Sequence, residues 1–258
     1  MNERVRRTVF LVSALAVGAL VLWGMAGLPH FGEHESAYAR LLDATTVSRR
    51  HVTDVVTATV FDYRGIDTLG EEFLLFTAAL GATLLLREQR GEVDRPPDDE
   101  GLGRVAVPMN SAVRFVGLAL IGPGVLFGLS LVAHGHLSPG GGFQGGVVLA
   151  SIPFLAYVVG EYRTLDRSTP WPAVESGEAT GAVGFVVLGA LGLLAGVAYL
   201  ENVLPLGSSG SLASGGTILA IDVSAGLAVC GAVVLLLREF LHQTLVVRRR
   251  TLSGGPSR

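Results

Sequence analysis

The sequence predicts an all-α membrane protein of about six transmembrane helices with both termini cytoplasmic. Three observations carry this. Mean hydropathy is +0.53. Only 16% of the 258 residues are charged, against about a quarter in a soluble domain. The uncharged residues are gathered into runs of bilayer length, where a crossing helix needs about 20 apolar residues.

The first run is Thr8–Leu28, preceded by Arg4, Arg6 and Arg7. Its apolar core exceeds that of a signal peptide, so an uncleaved anchor is expected. The second, Phe73–Leu86, becomes long enough to span if it starts at Thr68, which draws Glu71 and Glu72 into its first turn. Phe115–Ala133, Leu137–Gly160 and Ala179–Leu200 supply spans three to five. The sixth, Val223–Leu237, reaches bilayer length by admitting Asp222 and starting at Thr217. Arginines cluster before span one, between spans two and three, between four and five, and after six, whereas 134–142 and 201–217 have none. The positive-inside rule then sets both ends in the cytoplasm. Segment 29–67, with four arginines of its own, is left unplaced.

The polar stretch with Pro96-Pro97 and Asp98-Asp99-Glu100 reads as a cytoplasmic linker. The expected organisation is a two-span unit (1–90), a linker (91–109), a four-span domain (110–245) and a basic cytoplasmic tail (246–258). No fixed-period repeat is visible.

Composition excludes several functions. The charge of −3 gives no basic footprint for nucleic acid. Cys230 stands alone, so neither an internal disulfide nor a cysteine-based zinc motif is available. All 19 basic residues are arginine, which removes the phosphate-loop lysine and the Schiff-base lysine.

Three clusters remain for chemistry. In the first, residues 61–72, the acids are Asp62, Asp67, Glu71 and Glu72. Asp67 and Glu71 are four apart and share a helical face. Such a carboxylate pair holds a proton or a sodium ion, and acids inside a membrane segment are functional candidates by default. The structural alternative is a capping box, Thr68-x-x-Glu71, with Arg64 pairing Asp62 or Asp67. The second cluster is the Gly-rich stretch holding His134, His136, Pro139, Gly140, Gly141, Gly142, Phe143, Gly145 and Gly146. It reads as a sharp turn, with Gly142 and Gly146 making a close-packing face. His134 and His136 are candidates for a proton relay; two histidines without a third ligand make a weak metal site, and no metal or cofactor is assigned. The third cluster, 206–218, leads to Asp222, about one turn inside span six and suited either to an ion path or to organising the bundle. Pro123 and Pro153 lie within spans and are expected to set packing geometry.

Residues 135–146, with Leu204-Pro205-Leu206-Gly207, Ser214-Gly215-Gly216-Thr217 and Leu236-Leu237-Arg238-Glu239-Phe240, resemble the B-type subunit of the multisubunit Mrp (Mnh) cation/proton antiporters. Residues 61–71 resemble the C-terminal end of the large A-type antiporter subunit, and also a small subunit of membrane-bound hydrogenases. The resemblance covers about 110–245 and 45–90, and departs from many B-type subunits by the extra two-span unit. It implies a subunit of a hetero-oligomeric sodium/proton antiporter in the cytoplasmic membrane, serving pH homeostasis. Its partners would be other membrane subunits, sodium, protons and lipid. The Asp67–Glu71 region would border the cation route, the Gly-rich turn would pack against neighbours, and lysine-based proton transfer would lie in other chains. Two alternatives stay open: a subunit of a redox-driven pump such as a membrane-bound hydrogenase, and a purely structural sealing subunit. The remaining rival is a membrane metalloenzyme using His134 and His136.

Overall fold

The computed structural model describes residues 3–28, 36–86, 110–160 and 169–253. The linker 91–109 and the last five residues of the tail lie outside them. Every regular element among the described residues is helical, and six helices are long and apolar enough to cross a membrane.

By contact the chain forms two compact units, 1–43 and 44–258. The first contains α1 (Glu3–Ala26), whose large apolar side chains, Phe10, Leu15, Leu22 and Trp23 among them, are exposed. It also contains the start of α2 (Ala37–Arg50), where the Ser36 hydroxyl accepts the Ala39 N–H at 3.0 Å as an N-cap.

The second unit begins within α2, which ends on Arg49 and Arg50. Cations there complement the helix dipole. A short α3 (Val55–Ala58) is capped by Asp54, whose carboxylate accepts the Thr57 N–H at 2.8 Å. It runs into one wide turn of π-helix, Thr59–Tyr63. Then follow α4 (Gly65–Leu86), α5 (Ser111–Ala133), α6 (Gly142–Gly160), α7 (Trp171–Leu194) and α8 (Thr217–Ser253). Asn110 caps α5, accepting the Ala112 N–H at 2.9 Å. Pro172 stands at the start of α7, where the missing N–H costs nothing.

Three expectations need correction. The second span starts at Gly65, and the Thr68–Glu71 capping box does not form. The Thr68 hydroxyl instead donates to the Val60 carbonyl at 2.6 Å, because the π-turn folds back over the start of α4. The fourth span starts at Gly142, since the glycines and Pro139 before it form the turn. The fifth starts eight residues earlier than Ala179, which brings Glu175 and Glu178 into α7.

Helix α8 is the most buried span and packs against α4, α5, α6 and α7. The main apolar cluster joins Phe61, Leu69, Phe185, Ile218, Ile221 and Ala225, with the Phe61 and Phe185 rings edge to face at 6.2 Å. Because α4 belongs to this cluster, residues on both sides of the 91–109 linker share one core. Glycine sets how closely the helices approach. A Cβ on Gly181 of α7 would stand 2.4 Å from the Ala228 nitrogen and 2.6 Å from the Ser224 oxygen of α8. Between α5 and α6, Gly117, Gly124 and Gly128 receive Val159, Ile152 and Leu149.

Gly181→Ala meets backbone, which cannot swing away, so it is expected to destabilise the bundle by at least about 2 kcal/mol. Gly70→Ala, with nothing within 4 Å of the new methyl, is expected to be neutral or to stabilise by up to about 1 kcal/mol. Unfolding of the purified chain in detergent measures both.

Candidate functional site

The Gly-rich turn between α5 and α6 is built around one carboxylate. Asp222, sixth residue of α8 and fully buried, accepts the Gly142 N–H on Oδ1 at 2.5 Å. Gly142 is the first residue of α6, whose N–H has no acceptor within its own helix. Asp222 therefore caps α6 from across the interface, an acceptor at the positive end of a helix dipole.

The turn closes on this carboxylate because it has no side chains. A Cβ on Gly135 would stand 2.3 Å from Asp222 Oδ2, and one on Gly142 2.1 Å from the Asp222 carbonyl oxygen. On Gly146 it would stand 2.8 Å from the Gly226 oxygen. Gly145 faces Val132, and Phe143 packs against the apolar cluster, while Pro139 is exposed. Gly141, beside Gly140, has φ +118°, a region closed to residues with a Cβ. It directs its N–H to the Leu131 carbonyl at 3.1 Å. Among the described residues Asp222 Oδ2 meets no donor, and Asp54 lies within its electrostatic range.

The other side of the turn is held by 53–57. Thr53 and Asp54 N–H groups donate to the His136 carbonyl at 3.1 and 3.3 Å. The Thr53 and Thr57 hydroxyls donate to the Leu137 and Gly135 carbonyls at 2.5 and 2.7 Å. The His136 ring is fully buried, and its Nε2–H donates to the Ser211 carbonyl over a long 3.4 Å. Among the described residues Nδ1 has no partner, and neither has the buried Ser214 hydroxyl. Burial pushes the His136 imidazole below its ordinary value, with the Ser211 carbonyl opposing. His134 is exposed and bonds back to the Ser130 carbonyl at 3.0 Å, so the two histidines point to different surroundings.

The loop before α8 completes the enclosure. Asn202 donates to the Gly215 carbonyl at 2.7 Å and accepts the Thr217 N–H at 2.8 Å. The Thr217 hydroxyl accepts the Val203 and Leu204 N–H groups at 3.1 and 3.2 Å. His51, at φ 56°, donates its Nδ1–H to the Gly207 carbonyl at 2.6 Å.

The first acidic cluster is divided among different surroundings. Asp62 is buried and paired with Arg50, whose guanidinium stands 5.6 Å from the Tyr63 ring centroid. Burial pushes the Asp62 carboxyl up and Arg50 opposes it. Asp67 is exposed and paired with Arg64, and Glu71 is exposed. The shared face of Asp67 and Glu71 thus lies on the outside of α4. Glu72 is also buried, at 3% exposure, and its Oε1 has no partner among the described residues. Within its electrostatic range lies Glu178 of α7, also buried and with an unpartnered Oε1. Sequence reasoning missed Glu178 because the span was started after it; the Trp171-Pro172 helix-start signal would have included it. Among the described residues no group of three or more His, Cys, Asp or Glu side chains could hold a metal ion.

Residues 112–235 match the family model described as a domain related to the MnhB subunit of Na+/H+ antiporter. A chain of the membrane-bound sulfane sulfur reductase, an archaeal respiratory membrane complex, is 29% identical with a TM-score of 0.70. The match covers 92% of this chain and 98% of that one. A chain of the Mrp complex from a Dietzia species is 26% identical, also at TM-score 0.70; the match covers 93% of this chain and 26% of that one. An uncharacterised protein of Methanocaldococcus jannaschii is 27% identical over 217 residues, 78% of this chain and 76% of the relative.

Two outcomes follow from the turn. Asp222→Asn keeps an acceptor for the Gly142 N–H and is expected to fold, whereas Asp222→Ala strands that N–H and costs about 1–3 kcal/mol, read by unfolding in detergent. For His136, a folded-state value below the ordinary one means the unfolded segment takes up the proton first as pH falls. The turn is then expected to loosen as pH drops through about 6.5. Lower protection factors at Thr53 and Asp54, taken relative to intrinsic exchange at each pH, report it, and His136→Asn should flatten the dependence.

Proposed function

We propose that this chain, whose residues 112–235 match a domain related to the MnhB subunit of Na+/H+ antiporter, is a membrane subunit of a multisubunit sodium/proton antiporter. It would support cation passage and hold neighbouring subunits in register. One observation carries the reading: carboxylates are buried inside a largely apolar bundle with oxygens that no donor among the described residues meets, on Asp222 and Glu72. Unpaired anions in a low-dielectric interior are costly, and a passing hard cation or proton relieves that cost. Asp67 and Glu71, on the exposed face of α4, are suited to border the route where a partner subunit docks. The Gly-rich turn then serves as a rigid element between helices rather than as an ion ligand.

The proposed setting is the cytoplasmic membrane, with both termini inside, and the activity belongs to the complex rather than to this chain as an enzyme. In the proposed organisation, 1–90 is the part resembling the large A-type antiporter subunit, 91–109 a cytoplasmic linker, 110–245 the B-type domain and 246–258 a cytoplasmic tail.

A second reading is favoured by one observation: the respiratory-complex match covers 98% of its chain. In that reading the same membrane part works beside redox subunits that supply the driving force. Co-purification separates the two, since only the second brings down subunits with redox centres.

Glu71→Ala in the complex, reconstituted in vesicles with assembly verified, is expected to lower sodium/proton exchange by about tenfold or more, a loss of at least about 1.4 kcal/mol in the barrier to transport. Full exchange by an intact variant complex removes Glu71 from the route.

A further inference from the structure

We propose that Glu72 and Glu178 together form a single-cation site at the junction of α4, α7 and α8, holding one proton or one sodium ion between two carboxylates. The two acids are 3% and 6% exposed, and each keeps a buried Oε1 with no partner among the described residues. Each is the eighth residue of its helix, about 10 Å along the axis from its first residue, inside the candidate span in both cases.

Helix α8 seals the site with glycine. A Cβ on Gly231 would stand 2.6 Å from Glu178 Cβ and 2.8 Å from its Cα and N, so α7 rests directly on α8 backbone beneath the carboxylate. The charged and titratable groups around the pair are mostly acidic. Glu71 on α4 and Glu175 on α7 act on it electrostatically. Helix α8 contributes the neutral Cys230 beside Gly231, with Asp222 and Arg238 more than a turn away on either side. The Arg238 guanidinium donates to the Thr169 carbonyl and stands 5.4 Å from the Trp171 ring centroid.

Two carboxylates at such a place cannot both stay ionised without a positive charge between them. One proton bound to either carboxyl supplies it. So does a sodium ion, which prefers oxygen ligands and finds two unused ones here. The site rests on the antiporter reading only in the choice of sodium as probe.

The test uses native membranes carrying the full chain, treated with dicyclohexylcarbodiimide, which reacts with protonated carboxyl groups in apolar surroundings. Peptide mass spectrometry reads the label at residues 72 and 178 from acid to alkaline pH. Wild-type label at Glu72 or Glu178 is expected, with sodium, but not choline, slowing it roughly tenfold at fixed pH, or about 1.4 kcal/mol. Glu178→Gln should leave Glu72 reactive but abolish the sodium protection, and Glu72→Gln should do the reverse. Label that ignores sodium but changes in rate with the partner's substitution assigns the site to the proton alone. Label that ignores both, or no label at either residue at any pH, overturns the proposal. Because the readout is labelling, loss of exchange in Glu71→Ala with protection intact would count against neither residue of the pair.

Discussion

A carboxylate on the second turn of α8 meets the first unpaired N–H of α6, and much of the surrounding chemistry follows from that meeting. For Asp222 to reach Gly142 at 2.5 Å, two backbones must pass almost in contact. Residues 135, 142 and 146 therefore have no room for a Cβ. The chain must reverse within a few residues, which Gly141 permits at φ +118°. With the turn locked from one side, its carbonyls face the other way and become acceptors for Thr53, Asp54 and Thr57. Thus a segment about eighty residues upstream is tied to the turn before α6, which is itself anchored on α8.

The acids then divide by environment. Asp62 has Arg50 and Asp67 has Arg64, which makes both parts of ordinary ion pairs. Asp222 has one oxygen satisfied and one not, and Glu72 and Glu178 each leave one oxygen unmet. In an apolar bundle the unmet oxygens are the chemically available ones, and they lie on α4, α7 and α8 itself. That distribution suits a chain through which, or beside which, a cation moves.

Much of this was legible in the sequence. Hydropathy located the six spans because an apolar run of bilayer length has few other uses. The spacing of Gly142 and Gly146 pointed to close packing because only glycine lets backbones touch. What could not be read depended on distant partners. Arg64 was available to either Asp62 or Asp67, and the choice turned on Arg50 arriving from α2. Helix α2 itself is polar and follows no bilayer-length run of its own, so segment 29–67 stayed unplaced. On α4, Glu72 is buried and Glu71 exposed, and adjacent acids in a sequence leave open which of the two faces the bundle. Glu178 was hidden by its charge, since counting uncharged runs starts a span after an acid rather than around it.

The glycine contacts along α8 have a mechanical consequence. Where side chains interdigitate, helices can slide or roll by exchanging rotamers. At Gly142, Gly146, Gly181 and Gly231 backbone meets the neighbouring helix with no rotamer to exchange. Helices α6, α7 and α8 accordingly behave as one stiff beam rather than three rods. A push delivered to any point of that beam would reach its far end as a tilt of the whole.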